Sequence, residues 1–254
     1  MKHHPHRVVV VIPARYASSR LPGKPLADIN GKPMIQHVVE RARMATLVND
    51  VIVATDDQRI MDAVCAFGGT AVMTPADCPS GSDRIALVAR GLTATEIIVN
   101  VQGDEPVIPP AMIDEAIAPL LKEKSLPVGT LVTRLRTTEE LLDPNTVKAV
   151  LDRQGRCLYF SRSPIPFGRD LTPAELIERC PVYRHIGMYV YRRDFLLRYA
   201  ALEQTPLEQA EKLEQLRILE HGYAIHAAVT AHVSIAVDTP ADLERVRALT
   251  NPRP

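Results

Sequence analysis

The sequence contains no tryptophan and few aromatic residues of any kind, with 7 Tyr and 4 Phe among 254 residues. This shortage disfavours an aromatic stacking platform for single-stranded nucleic acid. The sequence also lacks an excess of either charge, because 30 Lys and Arg balance 30 Asp and Glu. Proteins that bind nucleic acids or anionic membranes usually do so through an excess of basic charge, so neither is an expected partner.

Long apolar runs and paired cysteines are missing as well. The apolar run 8–12 ends at Pro13, far short of a membrane span, and the first seven residues lack the apolar core of a signal peptide. The four cysteines include no Cys-x-x-Cys pair, which disfavours a zinc ribbon, a redox dithiol or a disulfide framework. With 46% apolar residues to build a core, these absences predict a globular protein of the cytoplasm.

The first half of the chain alternates short apolar runs with amphipathic stretches. Strands are predicted at 7–12, 51–54, 70–73 and 97–101, and helices at 33–44, 58–67, 83–90 and 110–122. Repeated strand–helix units require right-handed crossovers between neighbouring strands. They therefore predict an α/β fold with a doubly wound, mostly parallel sheet.

The pattern changes after residue 128. Strands are predicted at 128–135, 147–151, 156–160, 185–191 and 233–237, and helices at 206–220 and 240–249. No linker composition separates the two halves, so we predict a single domain over 1–254 in which 128–192 forms an insertion carrying a hairpin. A hairpin this small buries little surface by itself, so we expect it to pack against a second copy of the chain.

Ligands of a doubly wound sheet bind at the carboxyl ends of its strands. The loop 13–25 follows the first strand and carries Arg15, Arg20 and Lys24. Cationic side chains beside backbone N–H groups suit a triphosphate of about four negative charges, although a solvated basic turn has the same composition. The loop contains neither a Walker A motif nor a dinucleotide-binding Gly-x-Gly-x-x-Gly.

Two acids follow predicted strands and are candidate ligands for Mg²⁺. Asp104 comes after the apolar run 97–101, and Asp238 comes after 233–237. Carboxylates that face a basic loop could hold Mg²⁺ against phosphate oxygens. Asp104 could instead belong to a simple turn, and Asp238 could be the N-cap of the last helix. The segment 80–84 is either a helix cap or a loop that recognises a base.

Several short motifs occur in order along nearly the whole chain. They are PARYASSRLPGKP at 13–25, NGKPM at 30–34, ATD at 54–56, SGSDR at 80–84, NVQGDEP at 100–106, YFSR at 159–162, RHIG at 184–187, LEQLR at 213–217 and VDTP at 237–240. Together they resemble the CMP-Kdo synthetases, the 3-deoxy-manno-octulosonate (Kdo) cytidylyltransferases. The first motif and NVQGDEP are the most specific of the set.

The resemblance implies a nucleotide-diphospho-sugar transferase fold, CTP and Mg²⁺ as co-reactants, a homodimer and a role in lipopolysaccharide inner-core synthesis. It places CTP on Ala14, Arg15, Ser18, Arg20 and Lys24, bordered by Ser80, Ser82 and Arg84. It implies Asp104 and Asp238 as Mg²⁺ ligands, and makes Arg15, Lys24 and Asp104 the catalytic residues. It assigns the sugar acid to Gln102, Arg162, His185, Tyr189, Glu211 and Gln215.

One segment departs from the family pattern, because 232–237 reads HVSIAV where the family usually has a Pro-Gly pair. Three other functions are compatible with parts of the sequence. The same loop could serve a cytidylyltransferase for sialic acid or for 8-amino-Kdo. A non-catalytic nucleotide sensor could keep the fold, although it would not need acids at both 104 and 238. The third is an interaction protein with an α/β core.

Overall fold

The computed structural model describes residues 7–17 and 21–251. The strands are β1 (Val8–Ala14), β2 (Asp28–Ile29), β3 (Lys32–Pro33), β4 (Asp50–Thr55), β5 (Thr70–Met73), β6 (Ile97–Asn100), β7 (Val128–Arg134), β8 (Lys148–Leu151), β9 (Cys157–Ser161), β10 (Tyr183–Arg192) and β11 (Ile225–Val229). The helices are α1 (Met34–Met44), α2 (Gln58–Ala66), α3 (Gly81–Gly91), α4 (Pro110–Lys122), α5 (Thr138–Leu142), α6 (Pro173–Arg179), α7 (Arg193–Tyr199), α8 (Pro206–Glu211), α9 (Gln215–Glu220) and α10 (Pro240–Thr250). Among the described residues, no helix combines the length and the apolar character needed to cross a membrane.

The chain forms two compact units. Unit 1 consists of Met1–Asp114, Tyr191–Ala200 and His232–Pro254, and unit 2 consists of Glu115–Val190 and Ala201–Ala231. The predicted insertion 128–192 therefore falls in unit 2 except for its last two residues. Unit 2 also contains 201–231, which the sequence pattern did not separate from the rest of the chain.

Unit 1 contains the parallel sheet that the strand–helix alternation predicts. Its strands follow the order β6-β1-β4-β5, and β1 pairs in parallel with both β4 and β6. The run Val8–Ile12 is buried on both faces, as a central parallel strand requires. The carboxyl ends of β1 and β6 lie side by side, which places the loops after them together.

Unit 2 contains the predicted hairpin. Strands β8 and β9 pair antiparallel across a turn in which Asp152 accepts main-chain N–H groups and Gly155 has a φ of 80°. Strand β8 also pairs with the Tyr183–Arg184 end of β10, and β7 pairs with β11. The hairpin thus extends a sheet within its own unit, and this gives it packing partners without a second copy of the chain.

Two sequence predictions are wrong. The helix predicted over 206–220 is two helices, α8 and α9, because Lys212 adopts a left-handed conformation with a φ of 54° between them. The segment 233–237, which the sequence predicts to be a strand, is irregular chain. Within it, the Val237 amide donates a hydrogen bond to the Asp104 carbonyl. Its apolar residues, Ile235 and Val237, pack into a core cluster of unit 1 instead of pairing in a ladder.

Candidate active site

The loop after β1 returns to the end of that strand through a glycine. Gly23 has a φ of 69°, and its amide donates to the Tyr16 carbonyl at 3.1 Å. A Cβ at this position would also lie 3.2 Å from the Tyr16 ring. The 3-10 turn Lys24–Leu26 begins immediately after it. This local geometry, which favours glycine at position 23, brings Lys24 back beside the sheet.

Lys24 contacts both candidate metal ligands in unit 1. Its Nζ donates to Asp104 Oδ2 at 2.7 Å and to Asp238 Oδ1 at 3.1 Å. Two close contacts produce this meeting. The Val237 amide donates to the Asp104 carbonyl at 2.8 Å, and a Cβ at Gly103 would lie only 2.9 Å from the Pro13 carbonyl oxygen. Asp104 and Asp238, which come from distant segments of the chain, therefore both contact the Lys24 ammonium group. They do so although 232–237 lacks the family's Pro-Gly pair.

Asp238 is not the cap of the last helix. Thr239 is the N-cap of α10, and it forms a capping box with Asp242. The carboxylate of Asp238 is left to face Lys24, with 52% of the side chain exposed. The helix-cap alternative for Asp238 is thus removed, and its carboxylate stays accessible to a ligand.

These side chains border a cavity of about 330 Å³ at the carboxyl ends of β1 and β6. Its lining residues are Pro13, Ala14, Arg15, Ala17, Lys24, Pro25, Gln102, Gly103, Asp104 and Asp238. Arg15 is anchored at its rim, where Nη2 donates to the Cys78 carbonyl at 2.7 Å. Of the other predicted phosphate ligands, Ser18 and Arg20 lie outside the described residues.

The charge of Lys24 is stabilised where it stands. Burial lowers the pKa of Lys24, but the charges and hydrogen bonds of Asp104 and then Asp238 outweigh burial and raise the pKa above its ordinary value. The side chain is therefore an ammonium at neutral pH. One positive and two negative charges leave this cluster negative, which favours a cation beside it.

The two acids fit a magnesium ion. Mg²⁺ is usually held by one or two carboxylates together with substrate phosphates and water. Asp104 and Asp238 can place oxygens around one cation, as their contacts with Lys24 Nζ demonstrate. Within residues 7–17 and 21–251, no group of three or more His, Cys, Asp or Glu side chains could hold a metal. Phosphate or water oxygens would complete the coordination of a Mg²⁺ ion held by the two acids.

The segment 80–84 forms the start of α3. The Ser80 hydroxyl accepts from the Asp83 amide at 3.1 Å, which makes Ser80 the N-cap, and Ser82 and Arg84 are buried. The Arg84 guanidinium donates to Asp56 at 2.8 Å and also contacts Thr74. The helix-cap interpretation is therefore correct for Ser80. The buried Arg84 side chain links α3 to Asp56, which follows β4, and to Thr74, which follows β5.

Most of the residues predicted to face the sugar acid belong to unit 2, whereas Gln102 belongs to unit 1. Arg162 and Glu211 are joined, because the Arg162 amide donates to Glu211 Oε2 at 2.9 Å and Arg162 Nε donates to the Glu211 carbonyl at 2.7 Å. Glu211 Oε1 accepts from the Ser161 hydroxyl at 2.6 Å. Ser161 is therefore a further residue of this cluster, and its proximity to Glu211 depends on a contact between β9 and α8 that the sequence does not reveal.

His185 is a neutral ring in unit 2. It packs edge-on against Phe160, with ring centroids 4.9 Å apart, and contacts Tyr189 at 5.4 Å. Burial lowers the pKa of His185 from 6.5 to about 3. Its Nε2 lies 3.0 Å from the Thr130 hydroxyl, which donates to the Met188 carbonyl. A hydroxyl has only one proton to donate, so His185 Nε2 is the donor to the Thr130 hydroxyl. Because its pKa is lowered, the ring is neutral and offers a carboxylate no ion pair.

Gln215 is 5% exposed, and its Nε2 has no hydrogen-bond partner among the described residues. A buried donor without an acceptor is costly, so a ligand oxygen at this position would be stabilising. Gln215 is the first residue of α9, which packs on β9. The sugar-acid residues that the resemblance names in unit 2 thus include a fixed guanidinium, a neutral histidine and an unsatisfied amide.

Taken by itself, the cavity in unit 1 combines two cationic side chains with two carboxylates at the carboxyl ends of parallel strands. Comparison with known proteins extends this. Residues 9–226 match the family model described as cytidylyltransferase. A 3-deoxy-manno-octulosonate cytidylyltransferase of Geobacter metallireducens is 56% identical over 245 residues, which cover 94% of this chain and 96% of the relative. The chain belongs to the cytidylyltransferase family.

Solved structures agree with this assignment. A CMP:2-keto-3-deoxy-manno-octonic acid synthetase complexed with CTP superposes with a TM-score of 0.89 at 48% identity, covering 96% of this chain and 98% of that one. A 4-diphosphocytidyl-2C-methyl-D-erythritol synthase from Anaerococcus prevotii, at 12% identity and a TM-score of 0.62, covers 97% of this chain and 99% of its own and shares the fold. The resemblance identified in the sequence and the predicted fold class are confirmed.

Proposed function

We propose that the protein transfers CMP from CTP to Kdo with the help of Mg²⁺, giving CMP-Kdo and pyrophosphate. The observation that carries this proposal is the meeting of Lys24, Asp104 and Asp238 in one cavity. The identity of the substrates is supported by the relatives, whose names specify this activity. In a cell, this reaction would activate the sugar acid in the cytoplasm for lipopolysaccharide inner-core synthesis.

In the reaction, the anomeric hydroxyl oxygen of Kdo forms a bond to the α-phosphorus of CTP. The bond between the α-phosphorus and the bridging oxygen breaks, pyrophosphate leaves, and the hydroxyl proton passes to solvent. The protein has little covalent work to do in such a transfer, so positioning and charge stabilisation carry the catalysis. In this site, Lys24 and Arg15 supply positive charge for the triphosphate and the departing pyrophosphate.

Mg²⁺ held by Asp104 and Asp238 would neutralise phosphate charge and reduce the repulsion that the incoming oxygen meets. When the nucleotide binds, its phosphates can replace the carboxylates as partners of Lys24. Asp104 and Asp238 would then be the residues that hold the cation. Binding of phosphate by Lys24 and binding of the cation by the two acids both require Lys24, Asp104 and Asp238 to lie close together, as they do here.

The sugar acid would be recognised by the cluster in unit 2. Three of the five N–H groups of the Arg162 guanidinium donate to carbonyl oxygens, at Pro144, Glu211 and Lys212. The remaining two are available to the Kdo carboxylate. The unsatisfied amide of Gln215 could donate to a carboxylate or hydroxyl oxygen of the same molecule.

The test is a pyrophosphate-release assay of the purified protein with the reactants omitted in turn. We expect release only when CTP, Mg²⁺ and Kdo are present together, and much weaker release with ATP or UTP. Sialic acid and 8-amino-Kdo replace Kdo in parallel reactions. Equal turnover with sialic acid would refute the Kdo assignment and keep the reaction class, whereas absence of release with every acceptor would refute catalysis.

We also propose that the protein is a homodimer in solution. Unit 2 carries an apolar groove of about 520 Å³ whose rim includes Leu142, 55% exposed, and Phe167, 90% exposed. A projecting ring beside a groove can serve both sides of a two-fold interface. Sedimentation should give twice the chain mass, and Phe167→Ser should shift the protein toward monomer. A wild-type monomer of 28.1 kDa would contradict the proposal.

A further inference from the structure

Lys148 is a fully buried lysine in β8 that the predicted site does not include. Its Nζ donates to three main-chain carbonyl oxygens, those of Asp143 at 2.9 Å, Thr146 at 2.6 Å and Arg162 at 2.6 Å. An ammonium has three N–H groups, so all of them are satisfied by neutral acceptors. A buried charge is costly to keep, and burial lowers the pKa of Lys148 despite the charges of Asp143 and Glu211.

The contacts of Lys148 fix Arg162 at both ends. At the main chain, Lys148 holds the Arg162 carbonyl directly. At the side chain, Arg162 Nη1 donates to the Pro144 carbonyl at 3.1 Å, and Pro144 lies in the loop that Lys148 binds at Asp143 and Thr146. Lys148 therefore supports Arg162 at its carbonyl and, through the 143–146 loop, at Nη1, in addition to the contacts that Arg162 makes with Glu211.

The sheet register places Lys148 opposite the residues that immediately precede two of the predicted sugar-acid residues. Lys148 pairs with Ser161 of β9 on one side and with Arg184 of β10 on the other. The residues that follow these two in the chain are Arg162, just after the end of β9, and His185 in β10. The His185 amide donates to the Val147 carbonyl at 2.8 Å. Lys148 thus stands at the junction of the strands that supply both residues.

We propose that Lys148 is a positioning residue for the sugar acid, which fixes Arg162 through its carbonyl and through the Asp143–Thr146 loop. This inference rests on the proposed function, because it assumes that Arg162 contacts the Kdo carboxylate. Lys148 itself does not touch the substrate. Its removal takes a donor away from three carbonyl oxygens, of which that of Asp143 also accepts from the Thr146 amide. It weakens the support of Arg162 at its carbonyl and at Pro144, while the contacts of the guanidinium with Glu211 and Lys212 remain.

The experiment compares the wild type, Lys148→Met and Lys148→Arg, with Lys124→Met as a matched change of an exposed lysine in unit 2. Titration calorimetry measures the Kd for Kdo and the Kd for CTP separately, and circular dichroism checks that each variant is folded. We expect Lys148→Met to weaken Kdo binding on the order of tenfold while CTP binding stays within about twofold. Lys148→Arg keeps a charge and donors, so it should recover part of the loss, and Lys124→Met should match the wild type.

A double-mutant cycle separates positioning from general destabilisation. If Lys148 acts through Arg162, adding Lys148→Met to Arg162→Ala should weaken Kdo binding no further. The same cycle can be made with Lys148→Arg if the methionine variant does not fold. Additive losses in Kdo affinity, or equal losses for Kdo and CTP, would overturn the inference. A wild type that binds CTP but not Kdo would overturn the proposed function and this inference together, whereas normal Kdo binding by Lys148→Met would overturn only the inference.

Discussion

Lys24 in unit 1 and Lys148 in unit 2 are both withdrawn from solvent, but their partners differ. Lys24 is bound by two carboxylates, and the pKa of Lys24 is raised because those charges outweigh its burial. Lys148 is bound by three carbonyl groups, and burial lowers its pKa. A carboxylate can exchange one cation for another, whereas a main-chain carbonyl is part of the scaffold. This difference is the reason why we propose a catalytic role for Lys24 and a positioning role for Lys148.

The sharpest test of this contrast is the same substitution at both lysines. Lys24→Met should lower kcat on the order of 10²–10³, since it removes a preorganised charge from the phosphates. Lys148→Met should keep kcat when Kdo is saturating and raise the KM for Kdo. Steady-state kinetics with each substrate varied in turn measures both effects. A similar loss of kcat in the two variants would abolish the distinction.

Asp238 and Thr239 offer a second contrast between neighbouring residues. Asp238→Asn should reduce turnover on the order of a hundredfold and raise the Mg²⁺ concentration required, because it removes a hard oxygen ligand. Thr239→Ala should leave turnover unchanged and lower the free energy of unfolding by about 1 kcal/mol, because Thr239 caps α10. The measurements are Mg²⁺-dependent rates and urea unfolding. If Asp238→Asn kept the wild-type rate and Mg²⁺ dependence, its role as a ligand would be excluded.

Unit 2 should also respond to pH through His185. In the unfolded chain the ring takes up a proton near pH 6.5, whereas in the folded chain it does so only near pH 3. The unfolded state binds more protons between these values, so stability is lost as the pH falls. The loss amounts to about 2 kcal/mol at about pH 5. His185→Gln should flatten the dependence of the unfolding free energy on pH, while the exposed His221→Gln should leave it unchanged. An equal slope in the wild type and His185→Gln would contradict this account.

The smallest expected effect concerns the support of the loop after β1. The Arg59 guanidinium lies 3.4 Å from the centroid of the Tyr16 ring and is held by Asp57 at 2.7 Å. Arg59→Ala should raise the Kd for CTP by about two- to fivefold, the range of an exposed cation–π contact. Arg90→Ala, an exposed arginine on α3, is the control. Titration with CTP measures both variants, and no difference between them would show that the contact of Arg59 with Tyr16 does not support CTP binding by this loop.

Much of unit 1 could be predicted from the sequence because its signals are local. The apolar run at β1 and the helical spacing of α1 need no tertiary information, and the predicted bounds of α1 differ from the structure by one residue. The break between α8 and α9 could not be predicted, since Lys212 adopts a left-handed conformation that favours glycine or asparagine. The strand prediction at 233–237 is wrong because apolar and polar residues can also alternate where irregular chain packs onto a core, as Ile235 and Val237 do.

The candidate site shows the same division. The loop 13–25 and the acids at 104 and 238 are recognisable because they follow strands and occur in specific motifs. Lys148 is not recognisable, because a lysine in a strand ordinarily lies on its exposed face. Only the contact of β8 with the 143–146 loop and with β9 shows that three carbonyl groups surround it.

The central proposal is that CTP binds in unit 1 and that, apart from Gln102, the residues that recognise Kdo belong to unit 2. Its most direct test is calorimetric titration of the wild type, Lys24→Met and Arg162→Ala with CTP and Mg²⁺, and separately with Kdo. The account predicts that Lys24→Met weakens CTP binding and leaves the Kd for Kdo unchanged, and that Arg162→Ala does the reverse. Equal weakening of CTP and Kdo binding by Arg162→Ala would contradict it.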